Sequence, residues 1–238
     1  RKTKTIGIII PNMLNYFFAQ VFNGIEKVAN ERGYKLISCI SNESFEKEVE
    51  TMEMLSNGSI DGFILSLAEE TALKNDFLHF QEIIDSGTPI VMFDRVAETI
   101  HCDKVITDDA AGVLNAVKHL SKTGHKNIAF ISTLSHLKIG KKRELGYLKG
   151  LEEEKLPINK NHIINIIEED YKKYEHILTP FFNDNKIDAV IATDESSAIA
   201  AMKVAIKKGY KIPKEFSVIA FSNGILARHS SPKMTTIS

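Results

Sequence analysis

Residues 4–10, Lys4-Thr5-Ile6-Gly7-Ile8-Ile9-Ile10, make an apolar, β-branched run of strand length, and residues 126–132, Lys126-Asn127-Ile128-Ala129-Phe130-Ile131-Ser132, repeat its pattern. Runs of this kind without polar alternation fit strands buried on both faces, as in a parallel sheet covered by helices. Beyond the first run, Phe17, Phe18, Val21, Phe22, Ile25, Val28 and Ala29 recur at helical spacing until Gly33 supplies a stop. Then follow strand-like 36–40, a helix through Val49, Met52 and Leu55 ended by Asn57-Gly58, and strand-like 62–67. A further helix through Phe77, Phe80, Ile83 and Ile84, closed by Gly87, leads into strand-like 90–93. Strands joined through helices need right-handed crossovers and a parallel sheet.

The second half has the same grammar. A helix around Val113 to Leu120, stopped by Gly124, precedes strand-like 127–132, 163–167, 189–193 and 217–221, with helical stretches around 140–154, 171–185 and 195–208. Pro180 is expected to kink or end the second of these. The halves also share letters: Asn23-Gly24-Ile25-Glu26-Lys27 echoes Lys149-Gly150-Leu151-Glu152-Glu153, and Ile60-Asp61-Gly62-Phe63-Ile64-Leu65-Ser66 echoes Ile187-Asp188-Ala189-Val190-Ile191-Ala192-Thr193. Ordered echoes at nearly constant offset predict an α/β protein of two similar doubly wound parallel-sheet lobes, residues 1–97 and 98–238, around a ligand cleft. The length of 238 residues suits two such lobes.

Composition narrows the function. The 30 Lys and Arg nearly cancel the 31 Asp and Glu, so a net charge of −1 gives no field to hold a polyanion or an acidic membrane. Two cysteines, Cys39 and Cys102, exclude a disulfide framework and a CxxC zinc arrangement, and favour a reducing compartment. No apolar run approaches a membrane span. No GxGxxG follows residue 10, 40 or 132, and P-loop, GxSxG and HExxH patterns do not occur, so no cofactor and no metal is expected. Glu168-Glu169-Asp170 follows a strand and offers paired carboxylates for glycoside hydrolysis, but an acidic helix start explains it more simply. The same simple explanation serves Asp108-Asp109 and Asp194-Glu195.

What remains is a set of polar and aromatic residues at strand carboxyl ends. Asn12, Asn15, Tyr16 and Phe17 follow the first strand, Ser66 the third, Asp94-Arg95 the fourth, Thr193-Asp194 the seventh and Ser222-Asn223 the last. Sugars need planar side chains that donate and accept, with an aromatic face against the ring. Each residue alone is equally a cap or a turn residue; their common placement favours a pocket.

At these positions the sequence resembles the effector-binding core of the LacI/GalR family of bacterial transcription regulators, whose fold resembles periplasmic sugar-binding proteins. The matching stretches are residues 4–12, Ile60-Asp61-Gly62-Phe63-Ile64, Pro89-Ile90-Val91-Met92-Phe93-Asp94-Arg95-Val96, Gly124-His125-Lys126-Asn127-Ile128-Ala129, Arg143-Glu144-Leu145-Gly146-Tyr147 and Ser230-Ser231-Pro232-Lys233-Met234-Thr235-Thr236-Ile237. The Phe-Asp-Arg-Val and Ser-Pro-x-x-Thr-Thr-Ile stretches are the more specific. The resemblance implies that Asn15, Phe17, Asp94, Arg95, Arg143, Tyr171, Thr193 and Asp194 line the effector cleft. Arg143 is the sharpest of these, although in isolation it reads as a solvated helix charge beside Lys141 and Lys142. One departure stands out: the family's usual Asp after the last strand is Ser222 here, which removes a carboxylate acceptor.

The resemblance further implies a carbohydrate or similar small-molecule effector, a cytoplasmic homodimer, and operator DNA bound only through a helix-turn-helix domain and hinge helix that would precede Arg1, with no membrane partner. The helix carrying Val49, Met52, Met54 and Leu55 is the expected dimer face, because Met54 lies off its inward stripe. Two other functions compete. A transport binding protein uses the same lobes after export, and a carbohydrate-active enzyme would work through Glu168, Glu169 or Asp170.

Overall fold

The opening apolar run is strand β1 (Thr5–Ile10), and its side chains alternate between two cores. Ile8 and Ile10 pack with Phe18 and Phe93 on one face of the sheet, while Ile9 packs with Met52, Leu55 and Phe80 on the other. This is the double-sided burial that an unbroken apolar run requires. The computed structural model describes residues 2–168, 170–222 and 224–237.

By internal contacts the chain divides into two units, the first ending at Thr107 and the second beginning at Asp108. The first contains β1, α1 (Tyr16–Glu31), β2 (Lys35–Ile40), α2 (Phe45–Ser56), β3 (Gly62–Leu65), α3 (Glu69–Lys74), α4 (Leu78–Asp85), β4 (Ile90–Phe93) and β5 (Asp103–Val105). Its sheet has the order β2-β1-β3-β4-β5 and every pairing is parallel. The unit runs ten residues past the 97/98 division read from the sequence because β5 hydrogen-bonds to β4, with Val91 opposite Asp103 and Phe93 opposite Val105. At the end of α1, Gly33 takes φ +71°, the left-handed stop expected of it.

The second unit contains α5 (Asp109–Lys122), β6 (Ile128–Ser132), α6 (Lys138–Glu153), β7 (Ile163–Asn165), α7 (Tyr174–Asp184), β8 (Ala189–Ala192), α8 (Glu195–Lys207), β9 (Ser217–Phe221), α9 (Ile225–His229) and β10 (Thr235–Ile237). Its sheet order, β7-β6-β8-β9-β10, matches the first strand for strand. Ile128 and Phe130 join Val113, Tyr147 and Leu151 on one face, and Ala129 and Ile131 join Leu178, Phe182 and Phe216 on the other. Pro180 lies inside α7 and does not end it. The preceding segment is a short 3-10 turn, Tyr171–Lys173, so α7 begins three residues after the 171 expected for it.

The shared letters have a shared physical cause. Asp61 accepts hydrogen bonds from Thr3 N at 2.7 Å and Lys4 N at 3.0 Å, tying the start of β3 to the amino end of β1. Asp188 does the same for the second sheet, accepting from Lys126 N at 3.0 Å and Asn127 N at 3.1 Å. The glycines of the other echo differ in role. Gly150 lies against Val117, whose Cβ would sit 2.7 Å from an added Cβ, whereas one added at Gly24 would have none of the described residues within 4 Å.

Candidate functional site

In both sheets the strand order reverses between the first strand in sequence and the third, at β1/β3 and at β6/β8. Open α/β sheets bind ligands outside the strand carboxyl ends at that switch point, because the neighbouring loops diverge there.

At the β1/β3 end of the first unit, Asn12 and Asn15 lie on exposed backbone and serve the chain itself. Asn12 Oδ1 accepts from Leu14 N at 2.8 Å, and Asn15 caps α1 by accepting from Phe17 N at 3.0 Å. Phe17 is 44% exposed and meets buried Phe18 edge to face. Ser66 is fully buried directly after β3, and among the described residues its Oγ has no hydrogen-bond partner; Ser41 Oγ, directly after β2, is in the same condition. These two strands flank β1, so an orphan hydroxyl lies on each side of its end. Asp94 follows β4 at φ +58°, a left-handed conformation that costs energy for a residue other than glycine. Arg95 donates from Nη1 to Glu43 Oε2 at 2.6 Å and lies 5.8 Å from the centre of the Phe18 ring. Glu43, itself at φ +61°, also accepts from Glu69 N at 2.8 Å, which gives Arg95 a fixed counter-charge.

The β6/β8 end of the second unit is built around Arg143. Helix α6 presents it inward, so that it is only 7% exposed and is no solvated helix charge. Nε donates to Asp109 Oδ1 at 2.7 Å, Nη1 donates to the Thr193 carbonyl at 2.9 Å, and the guanidinium stacks 3.6 Å from the centre of the Phe221 ring. Two hydrogen bonds and an aromatic face fix a group that would otherwise lose much freedom on meeting a ligand. Thr193 Oγ1 accepts from Thr133 N at 3.1 Å, joining the ends of β6 and β8. Asp194 caps α8: its carboxylate accepts from Ser197 N at 2.9 Å, Ser197 Oγ at 2.6 Å and Thr133 Oγ1 at 2.8 Å.

Structure brings Arg143, Thr193 and Asp194 together in one network and places two further expected residues beside other strands. Ser222, after β9, accepts from Gly224 N at 3.0 Å, and Tyr171 is 63% exposed on the turn following edge strand β7. Asn223 and Glu169 lie outside the described residues. In the acidic cluster, Glu168 pairs with Lys173 at 2.9 Å and Asp170 caps the turn by accepting from Lys172 N at 3.0 Å. Sequence reading missed Asp109, taken as a helix-start charge, and Glu43, which nothing local distinguishes. It also missed Glu48 on α2, fully buried and accepting from Ala68 N at 2.7 Å, Thr71 Oγ1 at 2.8 Å and His79 at 2.9 Å, and so holding the segment after Ser66. Among the described residues no three His, Cys, Asp or Glu side chains are grouped to hold a metal ion, and no helix is long and apolar enough to cross a membrane.

Two repeated α/β units with their switch-point ends furnished in this way define a periplasmic-binding-protein-like core. Residues 3–231 match the family of periplasmic binding proteins and the sugar binding domain of the LacI family. The chain belongs to this family and is the effector-binding core of a LacI-type regulator. It is 30% identical to the HTH-type transcriptional repressor PurR of Vibrio cholerae serotype O1, over 99% of this chain and 69% of the repressor. The crystal structure of the transcription regulator CcpA of Lactococcus lactis superposes with a TM-score of 0.82 at 22% identity, covering 99% of this chain and 84% of that one. A periplasmic binding protein/LacI transcriptional regulator from Alkaliphilus metalliredigens QYMF, complexed with D-xylulofuranose, has a TM-score of 0.77 at 25% identity, covering 98% and 83%.

Proposed function

We propose that this core binds a small polar effector, a carbohydrate, without transforming it, and that binding alters operator affinity through a DNA-binding domain outside the chain. In this reading the units ending at Thr107 and beginning at Asp108 serve as the N-terminal and C-terminal lobes, the 97/98 division read from the sequence moving past β5. Effector contacts come from Asn12, Asn15, Phe17, Ser66, Asp94, Arg95, Arg143, Tyr171, Thr193, Asp194 and Ser222. The observation that carries it is Arg143, delivered from α6 to the carboxyl ends of β8 and β9 and held there by Asp109, the Thr193 carbonyl and Phe221. A buried, pre-oriented guanidinium beside an aromatic ring is suited to a hydroxyl-bearing ligand. The D-xylulofuranose bound by the Alkaliphilus regulator supports the sugar class.

Effector binding would act by favouring one conformation of the core over another, and a homodimer would transmit the change to DNA. Met54, 59% exposed on α2, supports α2 as part of the dimer face. The sparse cysteine usage, Cys39 and Cys102 alone in 238 residues, supports a cytoplasmic location.

Titration calorimetry of the purified core against a panel of pentoses, hexoses and disaccharides tests the reading. A saturable ligand is expected, with Arg143→Ala and Asp94→Ala each weakening it by about 1.5–3 kcal/mol, the range for hydrogen bonds to charged groups. Unchanged affinity in both variants overturns the site assignment, and a panel with no saturable member overturns the sugar class.

A further inference from the structure

We infer that Asp109 is a charge-selecting residue, built in as the permanent counter-ion of Arg143, and that the effector is an uncharged, hydroxyl-bearing molecule and not an anion such as a phosphate ester. The inference rests on the effector reading above and narrows it.

An anionic ligand would be drawn to the Arg143 guanidinium. That charge already faces the Asp109 carboxylate at 2.7 Å, with the two side chains only 9% and 7% exposed, where water screens little. Asp109 lies in the first turn of α5, whose start is fixed by the Asp108 cap on Ala111 N at 3.0 Å. Its backbone is therefore fixed beside α6, and its carboxylate can turn away only by giving up the Arg143 Nε–H hydrogen bond at a buried position. A second anion at Arg143 would meet the charge of Asp109 at comparable range, and the repulsion offsets the attraction. Asp194, beside the Thr193 carbonyl that Arg143 binds, adds a second carboxylate whose three donors are all internal. The first unit follows the same rule, with Arg95 matched by Glu43 at 2.6 Å. A neutral polyol escapes this repulsion, since it needs only guanidinium N–H donors and carboxylate or carbonyl acceptors.

The test uses inorganic phosphate as probe, with ionic strength held constant in potassium chloride, read by calorimetry and thermal shift on the purified core. The wild-type core should show no saturable phosphate binding up to about 10 mM, whereas Asp109→Asn should gain at least about tenfold in phosphate affinity. Adding Arg143→Met to that variant should abolish the gain. Glu43→Gln offers the same measurement at Arg95, on a more exposed pair, should Asp109→Asn fold poorly. Saturable phosphate binding by the wild type that Arg143→Met removes would overturn the inference, as would folded Asp109→Asn and Glu43→Gln proteins that both gain nothing. Phosphate reports on the guanidinium alone, so failure of the sugar titration leaves this result readable. A core that binds sugars and, through Arg143, phosphate alike would retire the charge selection while leaving the effector reading intact.

Discussion

Replacing Arg143 with Met should destabilise the second unit by about 3 kcal/mol, and most of that loss should vanish when Asp109 is changed as well. Arg143→Met removes the cation from a carboxylate that is only 7% exposed, strips the donor from the Thr193 carbonyl and takes the stacking partner from Phe221. Breaking one side of a buried ion pair costs about 3–5 kcal/mol, because the remaining charge stays desolvated. The lower end applies here, since the first turn of α5 supplies partial positive charge worth about 0.3–1 kcal/mol to Asp109. In Arg143→Met/Asp109→Asn no charge is left buried, and the residual cost is the lost hydrogen bond to Thr193, about 1 kcal/mol. The double variant should therefore be about 2 kcal/mol more stable than Arg143→Met alone, the non-additivity expected of two groups in direct contact. Urea unfolding reports the change through tyrosine, because the chain has no Trp, and Tyr147, Tyr171, Tyr174 and Tyr210 all lie in the second unit. With a slope of about 2 kcal/mol per molar urea, the single variant should shift the second unit's midpoint down by about 1.5 M. A loss under about 1 kcal/mol in Arg143→Met, or a double variant less stable than Arg143→Met alone, would refute a buried and mutually dependent pair.

Three further outcomes follow from particular contacts. Glu48→Leu should cost the first unit about 3 kcal/mol by leaving Ala68 N, Thr71 Oγ1 and the His79 ring without their acceptor, and hydrogen exchange should speed in residues 66–71; unaltered exchange there would contradict it. Gly146→Ala would put a Cβ 2.2 Å from the Ala110 carbonyl oxygen and force α5 from α6, so thermal unfolding should show a loss of about 3 kcal/mol or more. Burial holds the His162 imidazole below its ordinary value against opposing contributions from its Ile128 backbone hydrogen bond and Asp188. A base whose folded value is depressed contributes stability above the ordinary value of about 6.5 and loses it as pH falls through the folded value. Urea midpoints between about pH 7.5 and 5 should therefore drop less in His162→Phe than in the wild type, and parallel profiles would exclude this role.

The sequence by itself determined the alternation of strands and helices, the internal repeat and the family. Buried parallel strands must be continuous apolar runs, and the Asp61 and Asp188 clamps demand the same letters at the same place in each half. Short edge elements escaped or were blurred: α3 is six residues long, and β7 is a three-residue strand where 163–167 was expected. Their order comes from neighbours and not from any periodicity of their own. Tertiary structure alone decided the electrostatics of the site. Asp109 and Arg143 are 34 residues apart, and Glu43 and Arg95 are 52 apart. Each carboxylate is locally indistinguishable from a cap or a surface charge. Only the crossovers that lay α5 against α6, and the loop after β2 against the end of β4, convert such charges into buried partners, because pairing depends on distance in space while a sequence pattern reports only distance along the chain.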